Sequence, residues 1–131
     1  MHSGTDVPPF TPSRQWLEDW PFDVWTVVQV RAAVTGAAAD CAVRRFQAAL
    51  RPVPDADVAD GTDVHYWGGF TVETSPSADG SGWRIVLLSS GQDGFSSVIG
   101  ATDDLVEAIR ETPGEVRLTW QEMAARRAEG H

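Results

Sequence analysis

The 131-residue chain contains no lysine and no asparagine, and its one cysteine is Cys41. A lone cysteine excludes an intrachain disulfide and agrees with a reducing compartment. With lysine absent, all ten basic residues are arginine. That bias fits a GC-rich coding sequence, and it supplies the cation better suited to stacking and bidentate pairing. No apolar run approaches the ~20 residues a membrane helix needs. The opening MHSGTDVPPFTPSR lacks the basic start and apolar centre of a secretory signal. The expected location is cytoplasmic, with no membrane association.

The nucleotide and metal signatures are missing too. There is no G-x-G-x-x-G and no phosphate loop. Gly94-Phe95-Ser96-Ser97-Val98 is not a nucleophile elbow. His2, His65, His131 and Cys41 have no metal-ligand spacing. Asp55, Asp57, Asp60 and Asp63 crowd one loop, but the spacing to Gly61 and the Tyr at the twelfth position depart from a calcium loop. The expectation is no metal and no cofactor. The net charge of -9 repels phosphate backbones, so no nucleic-acid partner is expected. It suits a basic protein partner, or simply solubility.

What is present is an ordinary globular composition, 42% hydrophobic and 22% charged. Residues 1–12 read as a flexible Pro-rich arm and 13–131 as a single α+β domain. Ser13 is placed to cap a helical turn whose Trp16, Leu17 and Trp20 would dock on the body. Residues 24–34 alternate at period two, with Val28, Val30, Ala32 and Val34 on one face and Trp25, Gln29 and Arg31 on the other. Residues 36–50 have the helical period, with Ala39, Val43, Phe46 and Leu50 inward and Cys41 nearly opposite.

The stretch VHYWGGFTVET, 64–74, reads as one strand with Tyr66, Phe70 and Val72 inward and His65, Trp67, Thr71 and Glu73 outward. Gly68 and Gly69 mark a bulge or a close backbone approach within it. Residues 83–90 form a central strand, and 95–100 a further short strand after a GQDG turn. A helix starts at Thr102, with Leu105, Ile109 and Thr112 inward. A strand at 115–120 and a short exposed helix from Gln121 finish the chain.

This order predicts a single antiparallel layer with two helices on one face, in the ferredoxin-like arrangement β-α-β-β-(β)-α-β. The sheet face away from the helices would present Trp25, Gln29, Arg31, His65, Trp67, Thr71, Glu73, Arg84 and Arg117. Trp, Arg and His are the residue types that dominate binding hot spots. The expected function is therefore protein association, inhibitor- or immunity-like as in many small acidic bacterial proteins, or homodimeric. The alternative is a cofactor-independent dimeric α+β-barrel enzyme or small-molecule-binding protein. There His65 would be the acid/base group, Trp67 and Trp25 would stack on an aromatic ligand, and Arg31 or Arg84 would hold its anionic group. The N-terminal arm or the C-terminal tail folding over this face is the remaining possibility.

Overall fold

A computed structural model describes residues 7–14, 26–55, 58–90, 94–123 and 126–127. Trp16, Leu17, Trp20 and Trp25 lie outside the described residues, as do His2 and His131. The elements are β1 (Thr26–Thr35), α1 (Ala39–Ala48), β2 (Arg51–Pro52), β3 (Asp63–Trp67), β4 (Phe70–Pro76), β5 (Gly82–Ser90), α2 (Gly94–Arg110), β6 (Arg117–Glu122) and β7 (Arg126–Arg127). The protein is α+β. One antiparallel sheet runs in the order β2-β3-β4-β5-β1-β6, and β7 pairs with the first residues of β1.

The alternation in β1 sets the layer. Val28, Val30, Ala32 and Val34 are at most 3% exposed and pack with α1 and α2 in one core. From α1 that core receives Ala39, Ala42, Val43 and Phe46; Val98, Ala101, Leu105 and Ile109 come from α2. Full burial of side chains such as Phe46, Ile85, Leu87, Leu105 and Ile109 contributes roughly 1.5–3 kcal/mol each. Both helices lie on the same side of the sheet because their apolar stripes meet the same strand face.

Residues 64–74 are not one strand. They form a hairpin whose two-residue loop is Gly68-Gly69, with φ 52° and 98°. Two successive positive φ values are what a type I′ turn requires, and glycine adopts them without steric cost. The turn is tied down where the Ser89 hydroxyl donates to the Gly69 carbonyl at 2.6 Å. Reversal over two residues also changes the side-chain parity, which decides where His65 and Trp67 lie.

Four other features depart from the sequence expectation. Residues 95–100 are helical, since α2 begins at Gly94. Six residues with only Phe95, Val98 and Ile99 apolar are too few to separate a helical repeat from a strand. Thr102 does not cap; it is buried inside α2, its hydroxyl donating to the Ile99 carbonyl at 2.7 Å. After residue 120 the chain continues as strand through Glu122 and resumes further along β1 as β7, running in the same direction, rather than turning helical. Finally, Arg51–Pro52 adds a short edge strand against β3.

The described part of the N-terminal segment packs beside β6. Phe10 meets Trp120 edge-on at 5.5 Å between centroids, and the Trp120 indole N–H donates to the Pro8 carbonyl at 2.9 Å. The Ser13 backbone N–H and hydroxyl both donate to the Glu122 carboxylate, at 2.7 and 2.6 Å. Trp120 and Glu122 stand opposite Ala32 and Val30, so these contacts are on the helix side of the sheet.

Candidate functional site

Cross-strand register assigns every strand residue to a side, because directly opposed residues in a ladder share one. Three rows cross the side away from the helices. The first is Val64, Glu73, Val86, Arg31 and Gln121, from β3, β4, β5, β1 and β6. The second is Tyr66, Thr71, Leu88 and Gln29. The third is Ser75, Arg84, Ala33 and Thr119. Arg117 stands opposite Thr35 on the same side. Val64 and Val86 are buried yet lie outside the helix-side core, so this face has a small apolar centre of its own. No helix among the described residues covers it.

Gln29, Arg31, Thr71, Glu73, Arg84 and Arg117 therefore share one side of the sheet. His65 and Trp67 do not join them. His65 is opposed to Val72 and Trp67 to Phe70, and both partners belong to the helix-side core. The single Trp/Arg/His face expected from alternation is thus divided by the hairpin. Tyr66, expected inward, takes a place on the outer side and is 46% exposed.

On the outer side Arg31 is partly buried, and its Nε is buried with no hydrogen-bond partner. Arg84 stands opposite Ala33, two pairs along from the Arg31–Val86 pair and next to it on this side of the sheet. The two guanidinium side chains flank a cavity of about 360 Å³, which Ala33, Thr119 and Gln121 also line. Ser77 and Ala78, in the turn at Ser77–Gly80, line it too. There Asp79 accepts from the Ser81 hydroxyl at 2.6 Å, the Ser81 backbone N–H at 3.0 Å and the Ser77 hydroxyl at 3.1 Å. Those bonds, the Ser81 hydroxyl first, hold its carboxyl below the usual range.

On the helix side Trp67 is 48% exposed at the tip of the hairpin. It borders a groove of about 490 Å³ that also takes in Phe46 and Leu50 and the carboxylates Asp104, Glu107 and Glu111. Burial pushes the Asp104 carboxyl up, with repulsion from Asp103 and Glu107 adding to it. Arg45 meets Glu111 at 3.7 Å, but both are half exposed and such a pair is weak. Neither Asp104 nor Glu107 meets a cation among the described residues.

His65 borders a third cavity, about 340 Å³, between β3 and the loop after β2. Gln47, Val53, Val58, Thr62 and Asp63 line it, and His65 Nδ1 is buried without a partner.

The chain matches no protein-family model, no curated protein and no solved structure. Its candidate sites accordingly rest on geometry. Cys41 is exposed on α1. Among the described residues no three His, Cys, Asp or Glu side chains are grouped to hold a metal ion, and no helix is long and apolar enough to cross a membrane.

Sequence reading missed Asp104, Glu107 and Glu111 as a site, because acidic residues on an exposed helix stripe ordinarily do no more than solvate it. Their spacing of three and four did place them on one stripe. What could not be read was that the hairpin brings Trp67 beside them.

Proposed function

We propose that the protein works by association, and that the groove beside Trp67 receives a basic segment of a protein partner. The observation that carries this is a half-exposed indole lining one groove with Asp104 and Glu107, two carboxylates that form no ion pair among the described residues, the groove's Arg45 being paired with Glu111. A guanidinium laid on the indole gains roughly 0.5–2 kcal/mol from the ring quadrupole. The same group can donate charge-assisted hydrogen bonds to the carboxylates. A net charge of -9 would speed the approach of a cationic partner. This is the behaviour of an inhibitor- or immunity-like protein, and a cytoplasmic setting suits the exposed Cys41 thiol.

The test is calorimetric titration with an arginine-bearing peptide and its citrulline counterpart. Trp67→Ala should abolish the preference for arginine while hardly moving the thermal midpoint. A large fall in the midpoint would instead make Trp67 part of the core. Light scattering after size exclusion tests the homodimer form: a dimer surviving Trp67→Ala would move the association surface elsewhere.

A second reading is supported by the His65 cavity. A volume of about 340 Å³ is at the lower end for a small-ligand site. The unpartnered Nδ1 offers a proton donor or acceptor toward an aromatic substrate. His65→Ala would then remove ligand binding or turnover without unfolding the chain.

We further read the fold as ferredoxin-like. The order β6-β1-β5-β4, with a helix after β1 and another after β5, supports this. In that reading β2 and β3 are an arm added at the sheet edge.

A further inference from the structure

We propose a second binding site, for an organic carboxylate, on the outer side of the sheet between Arg31 and Arg84. It is independent of the Trp67 groove, which lies on the opposite side. The sequence determines the site through alternation. Arg31 and Ala33 follow each other on the outer side of β1, and Arg84 pairs with Ala33. A small residue between two long cations leaves a hollow, and the hollow measures about 360 Å³. Thr119 stands opposite Ala33 and Gln121 opposite Arg31 on the other neighbour, β6, adding a hydroxyl and an amide as uncharged donors.

The charge of this hollow runs against the charge of the molecule. The chain is acidic overall, yet the strand residues lining the hollow include two guanidiniums and no carboxylate. The nearest carboxylate in the Arg31 row is Glu73, with Val86 on β5 between them. Two strand spacings, roughly 9–10 Å, separate the two backbones. No ion pair forms to Arg31 or Arg84 among the described residues. Like charges held together without a counterion repel, and a buried guanidinium N–H without an acceptor is costly. One bound oxyanion would answer both, because the guanidinium fork matches a carboxylate bidentately. Ala33, Ala78 and the methylene stems of the two arginines give the hollow an apolar part, so the ligand it suits carries an apolar body behind its charge.

Phenylacetate, phenylacetamide and inorganic phosphate are the probes, read by calorimetry and by the Arg31 Nε–Hε resonance. Phenylacetate should bind saturably and move that resonance, with the amide at least tenfold weaker. Arg31→Gln should weaken phenylacetate at least tenfold, and Arg84→Gln should weaken it too. Ala33→Leu, an exposed position, should block binding by filling the hollow while both arginines remain. Phosphate should bind more weakly than phenylacetate. Equal binding of the amide, phosphate binding as tight as phenylacetate, or phenylacetate binding that survives Ala33→Leu would each overturn the proposal. So would the absence of saturation by phenylacetate at millimolar concentration.

Discussion

His65 stands directly opposite Val72 across the β3–β4 ladder, and Val72 is fully buried beneath the helices. That pairing places the imidazole on the helix side, seven residues from a partner that an unbroken strand would have turned the other way. The same reversal carries Trp67 to the helix side, away from the arginine-lined hollow at Ala33.

The turn itself can be tested first. Gly68 has φ 52° and open space at its Cβ position, so Gly68→Asn should be nearly neutral. Gly69 has φ 98°, and a Cβ there would sit 3.1 Å from the Ser97 hydroxyl. Gly69→Val should cost about 1–3 kcal/mol. Chemical denaturation of both variants checks the contrast, which a continuous strand would not produce.

Gly100 lies in the interior of α2, exposed, with nothing within 4 Å of where a Cβ would stand. Gly100→Ala should stabilise the protein by about 0.5–1 kcal/mol, by reducing the freedom of the unfolded chain and favouring helix. Equilibrium unfolding in urea measures it.

Such residues show how much of the fold the sequence makes legible. The period of Val28, Val30, Ala32 and Val34 is unambiguous, and so is that of Ala39, Val43 and Phe46, because each pattern spans enough residues to show only one repeat. Residues 95–100 offered too few. Gly68-Gly69 is compatible with a bulge, which keeps the strand direction, and with a turn, which reverses it; propensity alone does not choose between them. The outer placement of Arg31 and Arg84 was within reach of alternation. The groove at Trp67 was not, since it joins β3 to a helix thirty-odd residues further along the chain.

Thr74 is fully buried, and its hydroxyl has no hydrogen-bond partner. Thr74→Val keeps the shape and removes the desolvated group. It should leave stability unchanged or raise it by about 1 kcal/mol, where a buried Thr engaged in a bond would lose stability. Thermal denaturation distinguishes the two.

Two carboxyls respond to pH in opposite senses. The folded state raises the Asp104 value above its ordinary 3.8, so the ionised group opposes folding at neutral pH, and that penalty fades as pH falls through the raised value. Asp104→Asn should therefore raise the midpoint at pH 7 and have no advantage once the pH is below 3.8. The Asp79 value is lowered, so its contribution is present above 3.8 and lost as pH falls through the folded-state value. Asp79→Asn should lower the midpoint at pH 7. Thermal melts of both variants from pH 7 downward show whether the signs are opposite.

The most direct test of association at the groove is fluorine NMR of the protein labelled with 5-fluorotryptophan, the Trp67 signal being assigned by Trp67→Phe. On titration with an arginine-bearing peptide the account predicts a saturable shift of the Trp67 signal. The shift should disappear with the citrulline peptide and in the Asp104→Asn, Glu107→Gln double variant. A Trp67 signal that stays still while the peptide binds, or that moves equally with citrulline, would contradict it.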